Sequence, residues 1–300
     1  NTLIHQYTTI NSFETHQLPT TPMNPIETAQ TLAQQFASRA AEADRTGRLP
    51  AADITALKAS DYPRFNIPTE FGGYGLPMRD CIAAHLELAQ GSTSTALVAG
   101  MHMQVMGHNS EVRLWDAEMF GRICTEIAEE EALVNSVASE PKLGSPSRGG
   151  SFQTHADLSA DGREWIINGH KTWTTGSAYL TFMLVKLSVE GGNGVMMIRG
   201  DNPGVRIDPI WGDALSLRAS DSHDVYFEDV HVPHENLIQK ANGQKPPSNL
   251  WFPMVMAATY LGAGFGAREA LIKYALERVP TALGRPIATL PKIQRQIGEI

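Results

Sequence analysis

Val134 to Leu187 reads VNSVASEPKLGSPSRGGSFQTHADLSADGREWIINGHKTWTTGSAYLTFMLVKL, and two short polar motifs in it sit among β-type runs. The first is Ala138-Ser139-Glu140-Pro141 with Gly144-Ser145 behind it; the second is Gly169-x-Lys171-x-Trp173-x-Thr175-Gly176. Between them, Ser151 to Leu158 alternates and Arg163 to Ile167 is apolar-rich, so both read as strands. The second ends in Asn168-Gly169, a dipeptide that favours a tight hairpin turn. Both motifs then fall at strand ends or in loops. Residues two apart on an extended segment share a face, which would aim the Trp173 plate and the Thr175 hydroxyl at one planar ligand.

Upstream of this stretch the pattern is helical. Asn24-Pro25-Ile26-Glu27 combines an N-cap Asn, a Pro at the first helical position and a Glu in capping-box position. Helices are expected from there to Ala41 and over Asp53–Ala59, Asp80–Gln90, Thr95–Met106 and Ala117–Ile127. Beyond Leu133 the period switches to two, with strands near Phe182–Leu187, Val195–Ile198, Val205–Ile207 and Asp224–Val232 joined by Gly-rich turns. From Ser248 the pattern is helical again to Arg278, and another helix begins near Pro291. The chain therefore reads as a multidomain α and β protein. It has an N-terminal all-α domain over residues 23–132, a middle β-barrel domain over 133–243 and a C-terminal α-helical bundle over 244–300. That bundle is expected to be incomplete, because two helices cannot close one and Ile293, Ile297 and Ile300 form a stripe with nothing left to cover it. Residues 1–22, rich in Thr, His and Gln and free of Lys and Arg, read as a disordered tail ahead of a natural start at Met23.

Bulk properties narrow the function classes. A net charge of −8 without a Lys/Arg cluster disfavours a nucleic-acid partner. Cys81 and Cys124, the 2 cysteines, lack metal-type spacing and read as buried thiols of a reducing, cytoplasmic setting. The 10 His residues show no pairing with a carboxylate at ligand spacing, so no metal site is expected. No apolar run reaches the roughly 18 to 20 residues that span a bilayer, and no membrane association is expected.

The two motifs resemble the middle domain of the flavin-dependent acyl-CoA dehydrogenases, which carries Thr-Glu-Pro-x-x-Gly-Ser-Asp and then Gly-x-Lys-x-Trp-x-Thr. The resemblance extends outward. Leu217-Arg218-Ala219-Ser220 and Val225-Tyr226-Phe227-Glu228-Asp229-Val230 look like the end of that domain. Ile67-Pro68-x-Glu70-x-Gly72-Gly73-x-Gly75 is similar to the N-terminal domain, and Tyr274-Ala275-Leu276-Glu277-Arg278 to the first long helix of the C-terminal domain. It spans roughly Asn24 to Ile300.

The resemblance implies FAD as cofactor, an acyl-CoA or similar small-molecule substrate, and a role in fatty acid metabolism. It also implies an electron acceptor such as an electron-transfer flavoprotein and a homodimer or homotetramer. Carried over residue by residue, Trp173 would pack against the flavin, Thr175 would bond near its N5 and O4, and Ala138 and Ser139 would meet its pyrimidine edge. Ser145 would reach the pyrophosphate, and Arg278 the pyrophosphate of a neighbouring subunit's FAD. Thr95, Val98, Ala99 and His102 would border the acyl pocket, although His102 on its apolar helical face also reads as a core histidine. The family's catalytic carboxylate is expected beyond Ile300; its alternative position falls at about Phe252, and Glu140 would be structural.

Departures from the family pattern carry information too. Arg278-Val279-Pro280-Thr281-Ala282-Leu283-Gly284 is two residues longer than the usual Arg-x-x-Phe-Gly, and Pro291 stands near a usual Gln, which leaves FMN as the alternative cofactor. With Ser139, Pro146 and Thr174-Thr175-Gly176 they also raise a second function, a monooxygenase of the same fold using reduced flavin and oxygen. A third reading, an inactive scaffold for protein binding, is opposed by the intact Trp173 and Thr175. Gly262-Ala263-Gly264-Phe265-Gly266 imitates a dinucleotide fingerprint, but no strand precedes it, so it reads as small residues for close helix packing.

Overall fold

The computed structural model describes residues 23–143, 151–240 and 247–300. The expected tail, Ser145 and Pro146, and the domain boundary after residue 243 lie outside the described residues. Helix α1 (Pro25–Thr46) begins where Asn24 Oδ1 accepts the Ile26 and Glu27 amides at 3.1 and 3.4 Å. It stops at Gly47, whose φ of 64° lets its own N–H return to Ala43 O. Helices α2 (Ala51–Lys58), α3 (Met78–Gly91), α4 (Thr93–Val112) and α5 (Ala117–Glu129) complete the N-terminal domain. In α4 nearly every residue from Thr95 to Asn109 is buried, the signature of a helix covered on all sides.

Among the described residues eight strands follow: β1 (Val134–Val137), β2 (His155–Leu158), β3 (Glu164–Thr174), β4 (Phe182–Val189), β5 (Gly192–Arg199), β6 (Val205–Asp208), β7 (His223–Pro233) and β8 (Leu237–Lys240). Their order is β6-β7-β3-β2-β4-β5-β8, with β1 also pairing β4 in parallel. The expected barrel is not closed: β6 and β8, four residues each, stand at opposite ends of the order, and closure would need a ladder between them. One residue pair, His155 with Ser188, joins β2 to β4, so the sheet is nearly two half-sheets sharing an apolar interior. β4 is buried on both faces: Met183, Val185 and Leu187 enter the main core, while Phe182 and Leu184 enter a second cluster with α5 residues such as Phe120 and Ile123.

Asn168-Gly169 is not a hairpin turn. β3 runs straight through it with a register shift against β7, and Asn168 Oδ1 accepts the Asp229 amide at 2.9 Å across the bulge. Only glycine fits at 169, since a Cβ there would lie 2.5 Å from Thr154 Oγ1. The chain reverses instead at Ser159–Arg163, where Gly162 adopts φ 72° and Ser159 N donates to Glu164 O at 2.9 Å. Asp161-Gly162 carried that turn in the sequence.

The C-terminal segment contributes α6 (Trp251–Glu277) and α7 (Pro291–Glu299). α6 lies against α3 and α4 through small residues: a Cβ on Gly262 would come 2.6 Å from Ala89 Cβ, and one on Gly266 2.6 Å from Gln90 O. Gly262 and Gly266 of the fingerprint-like run thus serve helix packing, whereas a Cβ on Gly264 would meet nothing within 4 Å. The other face of α6 is exposed at Tyr260, Leu261, Phe265, Tyr274 and Leu276.

Candidate functional site

The two motifs meet. Thr172 N donates to Ser139 O at 3.0 Å, and Lys171 Nζ reaches Ala138 O at 3.3 Å and Glu140 Oε1 at 2.8 Å. Glu140 also accepts the Gln153 and Thr154 amides at 2.8 and 2.9 Å. Burial alone would raise its carboxyl, but these donors outweigh that and hold it below the usual carboxylate range. Burial in turn pushes Lys171 down to about 8 against the pull of Glu140. Glu140 is therefore fully engaged and unavailable as a base.

Beyond Lys171 the ladder with β7 slips again. Trp173 takes φ 57°, a left-handed conformation that a Trp rarely adopts, and the residue is 58% exposed. Thr175 is buried, its amide donates to Trp173 O at 3.0 Å, and its carbonyl accepts Asn135 Nδ2 at 3.0 Å. Trp173 and Thr175 thus do not share a face by strand alternation; the turn sends the indole outward and the threonine inward. Gly176 follows with φ 71°, its N–H bonded to Ser220 O at 2.9 Å. Thr175 Oγ1 lies 2.9 Å from Ser222 Oγ, which lies 2.8 Å from Ser220 Oγ.

The residues of α4 stand behind this turn. A Cβ on Gly176 would lie 2.7 Å from Val98 Cγ1, so Val98 backs the motif directly. Val98 and Ala99 are buried, and so is Thr95, whose hydroxyl donates to Asp53 Oδ2 at 3.0 Å while Arg39 holds the other oxygen of that carboxylate. His102 Nε2 bonds Pro63 O at 2.9 Å and its Nδ1 accepts the Val134 amide at 3.2 Å, which sets the Nε2–H tautomer. Burial lowers it to about 4. His102 thereby pins α4 to β1. Arg278 stands exposed at the far end of α6, its amide capping that helix on Tyr274 O.

Sequence reasoning missed His85. It is fully buried between Tyr62 Oη, 2.6 Å from Nδ1, and Thr259 Oγ1, 2.7 Å from Nε2. Because Thr259 gives its proton to Val255 O, it accepts from Nε2, and Tyr62 donates to Nδ1. His85 couples α3 to α6 across 174 positions of sequence, a separation that no local pattern reveals. A cleft of about 270 Å³ at the end of α4, lined by Asn66, Gly107, Ser110, Arg113 and Trp251 among others, includes Pro68 and Gly75 of the N-terminal motif but no residue of the two middle-domain motifs.

The residues present fit a planar, polar-edged ring. An apolar plate is held open at Trp173, next to buried Thr174 Oγ1 and Asn135 Oδ1, which find no partner among the described residues. Among the described residues no cluster of His, Cys, Asp and Glu suits a metal ion, and no helix is long and apolar enough to cross a membrane. Cys81 and Cys124 are buried thiols, both pushed up to about 12 by burial.

Comparison with known proteins bears on the same segments. The family model for the acyl-CoA dehydrogenase middle domain matches residues 136–230, and that for the N-terminal domain matches residues 26–112. YdbM of Bacillus subtilis, a protein named for acyl-CoA dehydrogenases, is 35% identical over 271 residues, covering 90% of this chain and 70% of that protein. Cyclohexane-1-carbonyl-CoA dehydrogenase of Geobacter metallireducens is 27% identical over 278 residues, 90% and 71% of the two chains. The solved structure of FMN-bound TdsC from Paenibacillus sp. A11-2, a dibenzothiophene monooxygenase, superposes with a TM-score of 0.80 at 25% identity over 92% of this chain and 72% of its own. With both motifs inside the matched region and joined by a backbone hydrogen bond and the Lys171 side chain, the chain belongs to the acyl-CoA dehydrogenase family of flavin oxidoreductases.

Proposed function

We propose that the protein is an FAD-dependent dehydrogenase that introduces an α,β double bond into an acyl-CoA thioester. The observation that carries this reading is the union of the two motifs: an open indole at Trp173 and a buried hydroxyl at Thr175, fastened to Ala138-Ser139 through Thr172 N and Lys171 Nζ. When bound, the flavin would accept the β-hydrogen as hydride while a carboxylate takes the α-proton. Trp173 would flank the ring, Thr175 and the Ala138-Ser139 backbone would meet its polar edge, and hydrogen bonds there stabilise the negative charge that reduction brings. Val98 and Ala99 would back the acyl side, and Arg278 would serve a neighbouring subunit's FAD in a homo-oligomer. Glu140 is engaged by three donors and Asp221 Oδ1 by the Leu49 amide, while position 252 holds a phenyl ring, so the reading gives the base to none of these three. An electron-transfer flavoprotein would reoxidise the enzyme.

A second reading, a flavin monooxygenase, draws support from the likeness to TdsC. It needs no carboxylate base. The two readings part in one experiment on the full-length, flavin-loaded protein. Mixing it anaerobically with a panel of acyl-CoAs should bleach the absorbance near roughly 450 nm, since dehydrogenation needs no oxygen. Failure to bleach with every acyl-CoA, together with substrate oxidation only when reduced flavin and air are supplied, would replace the first reading by the second.

A further inference from the structure

We propose that Asn135 is a positioning residue for the flavin seat, fixing through the Thr175–Gly176 peptide the direction in which the Thr175 hydroxyl meets the ring. The proposal rests on the flavin reading above and names a residue outside both motifs. Asn135 lies on β1, 40 positions before Thr175, and its Nδ2 donates to Thr175 O at 3.0 Å. The carbonyl of Thr175 and the N–H of Gly176 belong to one planar trans unit and point in opposite directions. The N–H end donates to Ser220 O at 2.9 Å. One peptide plane is thus held at both edges, by β1 on one side and by the Arg218–Ser220 turn on the other.

The plane needs holding because a glycine follows it. Gly176 sits at φ 71°, and a residue without a Cβ tolerates a wide range of φ of either sign, so its own preference fixes little. The Thr175 amide is taken by Trp173 O at 3.0 Å and its carbonyl by Asn135, which leaves the hydroxyl as the group free to meet a ligand. That hydroxyl, 2.9 Å from Ser222 Oγ, keeps capacity for a second hydrogen bond. A tilt of the peptide plane turns the Thr175 backbone and swings the hydroxyl with it, while a productive contact tolerates roughly 10 to 20° of error.

Packing alone does not account for an asparagine here. Asn135 shares its strand face with Val137, which enters the main apolar core, and it is 2% exposed. Its Oδ1 finds no partner among the described residues. Burying an unpaired acceptor is costly where alanine or valine would bury none, and what the amide supplies in return is the donor at Thr175 O. The strand beneath it is anchored: Val134 N donates to His102 Nδ1 of α4 at 3.2 Å, and Asn135 pairs with Met183 of β4.

Asn135→Leu keeps the volume and removes the donor, so the plane hinges on Gly176 N alone. Flavin affinity should fall about tenfold, the weight of one well-placed hydrogen bond. Bleaching of bound flavin by acyl-CoA should slow while KM for acyl-CoA stays within about twofold, because Thr175 faces the ring and not the thioester. Asn135→Asp sets a carboxylate oxygen against the carbonyl oxygen and should bind flavin less well than the Leu variant.

The test is fluorescence titration with FAD and FMN, alongside thermal unfolding of the flavin-free forms, for the full-length protein and Asn135→Leu, Asn135→Ala, Asn135→Asp, Thr175→Val and the Thr175→Val/Asn135→Leu pair. Phe120→Leu, a change in the core beside Phe71 and Trp115, is the control for lost stability. Positioning through Thr175 predicts that Asn135→Leu loses most of its effect on flavin affinity once Thr175 is Val, and that Phe120→Leu unfolds earlier yet binds flavin as the parent does. Parent-like flavin affinity in Asn135→Leu, or an undiminished effect in the Thr175→Val background, would overturn the proposal and leave the flavin reading intact. Should Asn135→Leu not fold, parent-like affinity in Asn135→Ala overturns it. A parent protein that takes up neither flavin overturns both.

Discussion

Lys171 Nζ and Glu140 Oε1 stand 2.8 Å apart with both side chains sealed from solvent, so the charged ends of the two sequence motifs neutralise each other inside the protein. The pair works as a clamp. A buried ion pair adds little by comparison with well-packed apolar residues, but breaking it leaves one charge uncompensated. Lys171→Met should cost about 3 to 5 kcal/mol in a urea titration, and adding Glu140→Gln should recover part of it, because the amide oxygen can still accept a backbone N–H. A single Lys171→Met variant as stable as the parent would show that the clamp contributes nothing.

Trp173 should separate ligand binding from stability. The residue is 58% exposed, so removal of its indole forfeits little core, and its φ of 57° favours glycine. Trp173→Gly should leave the flavin-free protein as stable as the parent or up to about 1 kcal/mol more so, while flavin uptake falls sharply. Calorimetry of the flavin-free form and fluorescence titration with FAD and FMN would check the two halves.

The contact between Gly176 and Val98 allows a steric cycle. Gly176→Ala must accommodate both a φ of 71° and a Cβ 2.7 Å from Val98 Cγ1. It should destabilise by about 2 kcal/mol or more. Val98→Ala in the same chain should relieve the clash and leave only the backbone strain, so the pair should be less damaging than the sum of the singles. Simple additivity in thermal unfolding would rule out the contact.

Acid should unfold this protein through His85 and His102. Burial lowers both to about 4, below the ordinary histidine value. The unfolded chain then binds protons that the folded chain refuses, so stability is lost as pH falls from the unfolded value toward the folded one. Each site can contribute up to about 3 kcal/mol of that loss. A stability profile between about pH 7 and 4 should fall steeply, and His102→Asn should flatten it even where it lowers the plateau.

Much of the fold was legible locally. The Asn24 cap, the Pro at position 25 and the apolar spacing of α1 state that helix without reference to anything distant, as the period of two does for β4, β5 and β7. The turns were less so. Asn168-Gly169 and Asp161-Gly162 carry the same local preference, and only the second forms the reversal, because strand pairing with β7 continues through the first. Local chemistry proposes turns; register selects among them.

The site divides along the same line. Residue types and spacing in Ala138-Ser139-Glu140 and Lys171-x-Trp173-x-Thr175 were enough to name the family and to mark the two motifs that meet, because a ligand-binding backbone demands particular residues at particular intervals. Spacing could not show that Trp173 leaves the strand in a left-handed conformation while Thr175 turns inward, since that depends on Gly176 being held by Ser220 and backed by Val98. Nor could it show that Thr95 and His102 spend their polar atoms on Asp53, Pro63 and Val134. Those partners come from elsewhere in the chain, and tertiary packing alone brings them within hydrogen-bonding distance.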